Sequence, residues 1–193
     1  MKYIVTGLHS SGKAEVAEML EKDGVKVGKL FTNLDSVQYH HKLYECLTTE
    51  EINRIFGNGA YVYFSEVNNS ISNNYECLAS SEFDTSDVFV LSPNQINNIP
   101  LKALPEKVCY VWMDCNSLNR EARYKSEKRQ YNFKSREELE RIDLSDFTDK
   151  LYNTPNSSII YFQNEEPQRV ATIVEIMVKY PETIELIQRT FRS

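Results

Sequence analysis

The stretch that decides the fold is Gly7-Leu8-His9-Ser10-Ser11-Gly12-Lys13-Ala14. It follows a short apolar segment, Tyr3-Ile4-Val5, and precedes residues 15–22, where apolar and charged side chains alternate at helical spacing. A GxxxxGK pattern between a strand and a helix is typical of a phosphate-binding loop. A glycine-containing turn that merely joins a strand to a helix is the alternative, and the agreement of strand, spacing, lysine and helix disfavours it.

The residue types in this stretch are suited to binding an anion. Gly7 and Gly12 have no Cβ, so the backbone can curl into a concave row of N–H donors behind which a helix begins. Ser10 and Ser11 are small enough for a ligand to approach closely. Lys13 can place a positive charge on the outer phosphates of a nucleoside triphosphate. The loop therefore predicts binding of a nucleoside triphosphate.

One position departs from the motif. Ala14 stands where Ser or Thr normally supplies a hydroxyl to Mg²⁺, although its backbone N–H remains. Nucleotide binding is still expected, whereas the placement of Mg²⁺ stays open. The sequence assigns no metal ligand.

Composition narrows the class of protein. The chain has 193 residues, 41% of them hydrophobic and 26% charged, with a net charge of −6, which disfavours nucleic acid and anionic membranes as partners. No apolar run approaches the roughly 20 residues of a membrane span. The four cysteines lack metal-ligand spacing and are expected to be reduced thiols, three of them buried in strands. We expect the protein to be cytoplasmic, and the sequence is compatible with a homodimer.

The order of the elements indicates an α/β fold. Strands predicted at 2–6, 87–91, 108–114 and 158–162 alternate with helices, and their continuous apolar runs favour a parallel sheet covered on both faces. Thr48 and Glu51 form a capping box for a helix that ends near Gly57. Short strands are also predicted at 25–27, 42–47 and 60–67. We expect one domain, with a core at 1–30 and 86–193 and a small, mostly antiparallel lobe inserted at about 31–85.

A basic segment follows the third core strand. Residues 120–136 contain seven basic side chains and two acidic ones. Phosphoryl transfer needs positive charge around the transferred group, so this segment is a candidate helical lid. The alternative is a solvated basic helix face.

At this point the chain resembles the guanylate kinase family of P-loop kinases along nearly all of its length. The matching segments are the loop at 7–14, the lobe from Leu47 to Val67, the strand at 87–91, the arginine-bearing segment 117–129, the helix at 135–141 and the last strand with Asn164. The resemblance implies a three-layer parallel-sheet core with a nucleoside monophosphate lobe and a helical lid. It also implies ATP and Mg²⁺ as cofactors and a nucleoside monophosphate as acceptor.

The departures from that family concern the acceptor. Its paired arginines would fall near residues 31–36, where no arginine occurs, and its guanine-recognising carboxylate falls near Tyr63. Its acidic pair becomes Leu91 to Pro93, which contains no carboxylate. A single phenol accepts only weakly from guanine, so an acceptor other than GMP is expected, such as a pyrimidine or modified deoxynucleotide.

The candidate site residues fall into three groups. The catalytic candidates are Lys13, Arg123, Arg129 and Arg141. The ATP-binding candidates are Gly7, His9, Ser10, Ser11, Gly12, Lys13, Ala14 and Asn164. The acceptor-binding candidates are His41, Tyr44, Tyr63, Glu66, Tyr75 and Asp87.

Several acceptor candidates have an ordinary alternative. Tyr44 and Tyr75 could simply pack on the sheet of the lobe, Glu66 could be a surface residue, and Asp87 could cap a turn. His41 could replace the missing arginine charge.

Three hypotheses follow, of which the third, a kinase that acts on nucleotides within a polymer, is disfavoured by the net charge of −6. The first is a kinase that transfers the γ-phosphoryl group of ATP to a nucleoside monophosphate. The second is a catalytically weak guanylate kinase-like module that binds a protein or peptide. Retention of Gly7, Gly12 and Lys13 favours the kinase.

Overall fold

The computed structural model describes residues 1–33, 43–57, 59–69, 72–126, 133–163 and 166–190. Its strands are β1 (Lys2–Gly7), β2 (Leu30–Thr32), β3 (Tyr44–Cys46), β4 (Tyr61–Asn69), β5 (Ser72–Ala79), β6 (Val88–Val90), β7 (Val108–Asp114) and β8 (Ser157–Gln163). Its α-helices are α1 (Lys13–Lys22), α2 (Thr49–Phe56), α3 (Ser80–Thr85), α4 (Pro93–Asn98), α5 (Ser117–Ser126), α6 (Phe133–Asn153), α7 (Pro167–Lys179) and α8 (Ile184–Thr190).

The central sheet is parallel and has the strand order β6-β1-β7-β8. β1 pairs with β6 on one side and with β7 on the other. Because such a sheet is covered on both faces, its inner strands consist of continuous apolar residues, and in β7 Val108 to Met113 are all buried. The predicted parallel α/β core is confirmed.

Helices cover the two faces of this sheet. Alternate residues of β1 point to opposite faces, so Tyr3 and Val5 join a cluster with α1 and α7 whereas Ile4 faces α4 and α6. Phe147 of α6 packs on Trp112, with ring centroids 5.5 Å apart and the rings nearly parallel. The core is therefore three layers thick.

A second, mixed sheet has the order β3-β2-β5-β4. β2 pairs in parallel with β3, and the other two pairings are antiparallel. The predicted capping box of α2 is present, since Thr48 Oγ1 accepts from the Glu51 backbone N–H at 3.1 Å. Leu30 and Leu78 pack into the core cluster that contains Phe89. One face of the second sheet therefore lies against the core.

Two differences between the structure and the sequence prediction concern the strands. The strand predicted at Val25 to Val27 is reduced to a single bridge between Val27 and Val88. The next residue, Gly28, still donates its N–H to Val88 O at 2.9 Å, and a Cβ there would lie 2.2 Å from the Phe89 ring. The second difference is β5, which the sequence did not predict because its first half is Ser72-Asn73-Asn74, residues with low strand propensity.

The cysteines are all free. Cys77, Cys109 and Cys115 are buried, whereas Cys46 is exposed, and Cys115 lies just after β7 rather than within a strand. Burial, followed by the nearby Glu76 charge, raises the pKa of the Cys77 thiol to about 12. Among the described residues, the helices contain no segment with the length and apolar character needed to span a membrane.

Gly7→Ala is expected to destabilise the protein strongly. Gly7 has φ of 148°, and a Cβ there would lie 2.4 Å from the backbone oxygen of Met113 on β7. Neither backbone can move without separating β1 from β7, so we expect a loss of about 3 kcal/mol. Urea denaturation measures this loss.

Gly24→Ala is the matched control for this substitution. Gly24 also has a positive φ, of 81°, but nothing lies within 4 Å of an added Cβ. This substitution should cost only the strain of alanine in a left-handed backbone conformation, about 1 kcal/mol of unfolding free energy. Equal losses in the two variants would contradict the clash at Gly7.

Candidate functional site

The loop at 7–14 joins the carboxyl end of β1 to the start of α1. Ser10 has φ of 57° and Gly12 has φ of 99°, both left-handed. A left-handed residue between neighbours of negative φ is a feature of backbone segments that bind anions. In this structure the Ser11 N–H donates to Leu8 O at 3.3 Å. Binding of an anion by the loop therefore stays a prediction.

Lys13 bends back over this loop. Its Nζ donates to Gly7 O at 2.8 Å and to Leu8 O at 2.7 Å, with Ser11 Oγ at 3.4 Å. These bonds hold the ammonium group at the mouth of the loop, within reach of an anion seated there.

Two buried polar atoms at the loop have no hydrogen-bond partner in the described part of the chain. One is Ser10 Oγ and the other is Arg123 Nη1. A Cβ placed on Gly12 would lie 2.9 Å from Arg123 Nη1, so the guanidinium group is in contact with the loop. Burying an unpaired donor is costly, and such groups at a concave loop suit a ligand that supplies acceptors.

The neighbouring residues of the loop are closed to solvent. Ser11 and Ala14 are buried, and Ala14 contributes no oxygen beyond its backbone. Gly12 is confined by Pro167 at the start of α7, where an added Cβ would lie 2.8 Å from Pro167 Cγ. The loop is therefore shaped by small residues packed against fixed neighbours.

Arg123 is carried by α5, and a second arginine on that helix is fully paired. Arg120 is 3% exposed; its Nη2 lies 2.5 Å from Glu137 Oε1, and its Nη1 lies 3.4 Å from Glu140 Oε2. Its Nε donates to Cys115 O at 3.2 Å. Arg120 therefore anchors α5 to α6, whereas Arg123 faces the loop.

Helix α6 also contacts the loop directly. Glu140 Oε1 accepts a hydrogen bond from the His9 backbone N–H at 2.6 Å. The His9 ring packs edge-on against Tyr124 of α5, with centroids 5.6 Å apart. The loop and the two helices therefore form one connected unit.

The body of α6 is fixed to α4. Lys150 Nζ donates to Asn97 O at 2.9 Å and also to Ile99 O, and burial lowers the pKa of this lysine. Asn97 Nδ2 donates in turn to Asp143 O at 2.9 Å. These contacts hold α6 at the side of the core where the loop opens.

A buried polar cluster lies between the second sheet and α4. Gln95 Nε2 donates to Tyr44 Oη at 3.0 Å and to Glu76 Oε2 at 3.1 Å, and Tyr44 Oη lies 3.3 Å from Glu76 Oε1. Glu76 is 8% exposed and Gln95 is 6% exposed. We refer to this interface between the second sheet and α4 as the cleft. Tyr44 lies in it, and its contact with an acceptor stays a prediction.

Other acceptor candidates lie elsewhere. Tyr75 packs with Ile52 on the α2 side of the lobe, because strand alternation gives the cleft side to its neighbour Glu76. Asp87 precedes β6, whose residue Val88 is paired with Tyr3, so it lies at the end of the sheet opposite the loop. The structure supports the packing alternative for Tyr75 and does not bring Asp87 to the site.

The remaining candidates are placed only in part. His41, Arg129 and Asn164 lie outside the described residues, as do the side chains of Tyr63 and Glu66. Arg141 follows Glu140 on α6 and is exposed.

Asn33, which stands where the family has an arginine, accepts from the Tyr75 N–H at 2.7 Å and donates to Thr49 Oγ1 at 2.9 Å. Its amide therefore joins β2 to β5 and α2.

Three residues of this site were not predicted from the sequence: Glu76, Gln95 and Glu140. The Ser92 and Gln95 capping box of α4 was visible in the sequence, but its second role in the cleft depends on the fold. A helical projection of α6 could not show which carboxylate would meet the loop.

The described residues do not supply a Mg²⁺ site of their own. They contain no group of three or more His, Cys, Asp or Glu side chains suited to a metal ion. Ala14 offers no hydroxyl, and Leu91 to Pro93 no carboxylate. A Mg²⁺ ion at this loop would be held through phosphate oxygens and water.

The architecture is similar to that of a solved kinase structure. The crystal structure of guanylate kinase from Anaplasma phagocytophilum is similar with a TM-score of 0.54, over 94% of this chain and 85% of that one, at 15% identity. The chain has a P-loop kinase fold. Shikimate kinase from Acinetobacter baumannii in complex with shikimate matches with a TM-score of 0.45, over 94% of both chains, at 12% identity.

Comparisons of sequence give no match. No protein-family model and no curated protein matches the chain. The P-loop kinase fold is therefore shown by structure at an identity so low that its substrate must be argued from the site.

Proposed function

We propose that this protein transfers the γ-phosphoryl group of ATP to a nucleoside monophosphate other than GMP. The observation that carries the proposal is the loop itself, where Arg123 Nη1 and Ser10 Oγ are buried without partners beside the Lys13 ammonium. Two cations and a hydroxyl at a loop that opens a helix suit a triphosphate.

Phosphoryl transfer requires little covalent chemistry from the protein. In phosphoryl transfer a donor–phosphate bond breaks as an acceptor oxygen bonds to the same phosphorus, and the protein contributes mainly position and positive charge. Lys13 and the loop amides would hold the donor phosphates. Arg123 would stabilise negative charge on the transferred group. ATP becomes ADP, and the acceptor gains one phosphate.

The acceptor is proposed from the cleft. Asn33, in place of an arginine, uses its amide within the lobe. Glu76 is a carboxylate on the cleft side, but both of its oxygens accept from protein donors, Tyr44 Oη and Gln95 Nε2. Among the described residues of the lobe, the arrangement that the resemblance associates with GMP is not present, and we therefore propose a pyrimidine or modified deoxynucleotide as the acceptor.

A panel of acceptors tests this function. The protein is incubated with ATP, Mg²⁺ and each common and modified nucleoside monophosphate, and ADP is measured against a reaction without acceptor. We expect ADP to form with at least one acceptor and more slowly with GMP. No turnover, together with no ATP binding, would contradict the kinase proposal.

Two other outcomes are informative. Fastest turnover with GMP would contradict only the proposed acceptor. ATP binding without turnover on any acceptor would favour the alternative of a binding module for a protein or peptide.

A further inference from the structure

Glu140 is a buried carboxylate that ends on the phosphate loop. It lies in the second turn of α6, is 5% exposed, and accepts the His9 backbone N–H at 2.6 Å. A hydrogen bond from a backbone N–H to a buried carboxylate is charge-assisted and stronger than one between neutral groups. This contact fixes the peptide group that enters the concave part of the loop.

The same carboxylate is bound to α5. Its second oxygen, Oε2, lies 3.4 Å from Arg120 Nη1, and the Arg120 guanidinium lies 5.4 Å from the centroid of the Phe133 ring. Arg120 also binds Glu137, which in turn accepts from Ser117 Oγ at 3.0 Å. Glu140 is thus the link between the paired arginine of α5 and the loop.

This link determines where Arg123 lies. Arg120 and Arg123 are three residues apart on α5, so they occupy neighbouring positions on one side of the helix. Fixing Arg120 to Glu140 holds the preceding turn, and Arg123 Nη1 then lies against Gly12.

The loop conformation also needs an external restraint. Ser10 follows His9 and has φ of 57°, a left-handed conformation that is costly for a residue with a Cβ. Such conformations persist where surrounding contacts determine them. The bond from Glu140 to the His9 N–H is one such contact.

We propose that Glu140 is a positioning residue for the ATP site, one that holds the loop and Arg123 in their binding arrangement before ATP arrives. The inference rests on the proposed function and deepens it. The negative charge of Glu140 repels phosphate, but the Arg120 guanidinium lies against the carboxylate and its other oxygen accepts from the His9 N–H. The positioning effect is therefore expected to exceed the repulsion.

Three variants of the full chain test this role. Glu140→Ala removes both contacts. Glu140→Gln keeps an oxygen that can accept from the His9 N–H but loses the charge. Glu137→Ala removes the other carboxylate on Arg120 and leaves the loop contact in place. ATP affinity is measured by calorimetry, and hydrogen exchange of the 7–14 segment is measured without nucleotide.

We expect Glu140→Ala to weaken ATP binding about tenfold to a hundredfold and to speed exchange in the loop. Glu140→Gln should recover most of the affinity. Glu137→Ala should change affinity less than about threefold, although both alanine variants lower the unfolding midpoint.

Three results would overturn the proposal. One is ATP affinity and loop exchange in Glu140→Ala equal to those of the wild type. Another is tighter ATP binding by this variant, which would make the carboxylate a competitor of phosphate. The third is an equal loss of affinity in Glu137→Ala, which would indicate general destabilisation. A wild-type protein that does not bind ATP would instead overturn the proposed function, and this inference with it.

Discussion

Lys13→Ala is expected to weaken ATP binding at least about thirtyfold. The Lys13 ammonium lies 2.8 Å from Gly7 O and 2.7 Å from Leu8 O, which places its charge at the mouth of the concave loop. Removing a cation that binds phosphate in a partly buried site costs about 2–5 kcal/mol, or at least about thirtyfold in affinity. Titration calorimetry with ATP and Mg²⁺ measures the change.

Lys125→Ala is the matched control for this loss. Lys125 lies on α5, the helix that carries Arg123. Its side chain is 72% exposed and pairs with Glu121 at 2.9 Å on the surface of that helix. Exposed ion pairs contribute little free energy, so the ATP affinity of Lys125→Ala should stay close to that of the wild type. Equal affinity in Lys13→Ala and wild type would show that the loop assignment is wrong.

Arg123→Ala is expected to slow phosphoryl transfer about a thousandfold without destabilising the fold. Arg123 Nη1 is buried at Gly12 without a partner in the described residues, so its removal relieves a buried unpaired donor. An arginine that stabilises the transferred group contributes about 10³-fold or more to the rate. Activity should therefore fall while the free energy of unfolding stays constant or rises.

Arg120→Ala provides the contrast within the same helix. Arg120 is 3% exposed and lies 2.5 Å from Glu137 Oε1 and 3.4 Å from Glu140 Oε2, so its loss leaves two carboxylates without this cation. Breaking such a buried pair costs about 3–5 kcal/mol. Urea denaturation and single-turnover rates distinguish the two arginines. Marked destabilisation by Arg123→Ala, with unchanged turnover, would contradict the assigned role.

The donor half of the site could be predicted from the sequence because its signals are local. The glycines and lysine of the loop adjoin one another, and the flanking strand and helix have clear periodicity. Core strands such as β7 were predicted because burial on both faces requires an uninterrupted apolar run. The basic character of 120–136 made Arg123 a candidate, and its position against Gly12 depends on the fold.

The acceptor half could not be predicted in the same way. Tyr44, Glu76 and Gln95 come together from β3, β5 and α4, and no pattern in the sequence links them. The resemblance points to Tyr75, and only the strand register shows that its neighbour Glu76 faces the cleft. Glu140 was missed for a similar reason, since its partner His9 is 131 positions away.

Transfer of label from the γ-phosphate of ATP to a nucleoside monophosphate is the most direct test of the central claim. Wild-type protein and Lys13→Ala are incubated with labelled ATP, Mg²⁺ and the acceptor panel, and the products are separated. The account predicts a labelled nucleoside diphosphate with wild type and none with Lys13→Ala. Absence of labelled product from every acceptor, or its equal formation by Lys13→Ala, would contradict the account.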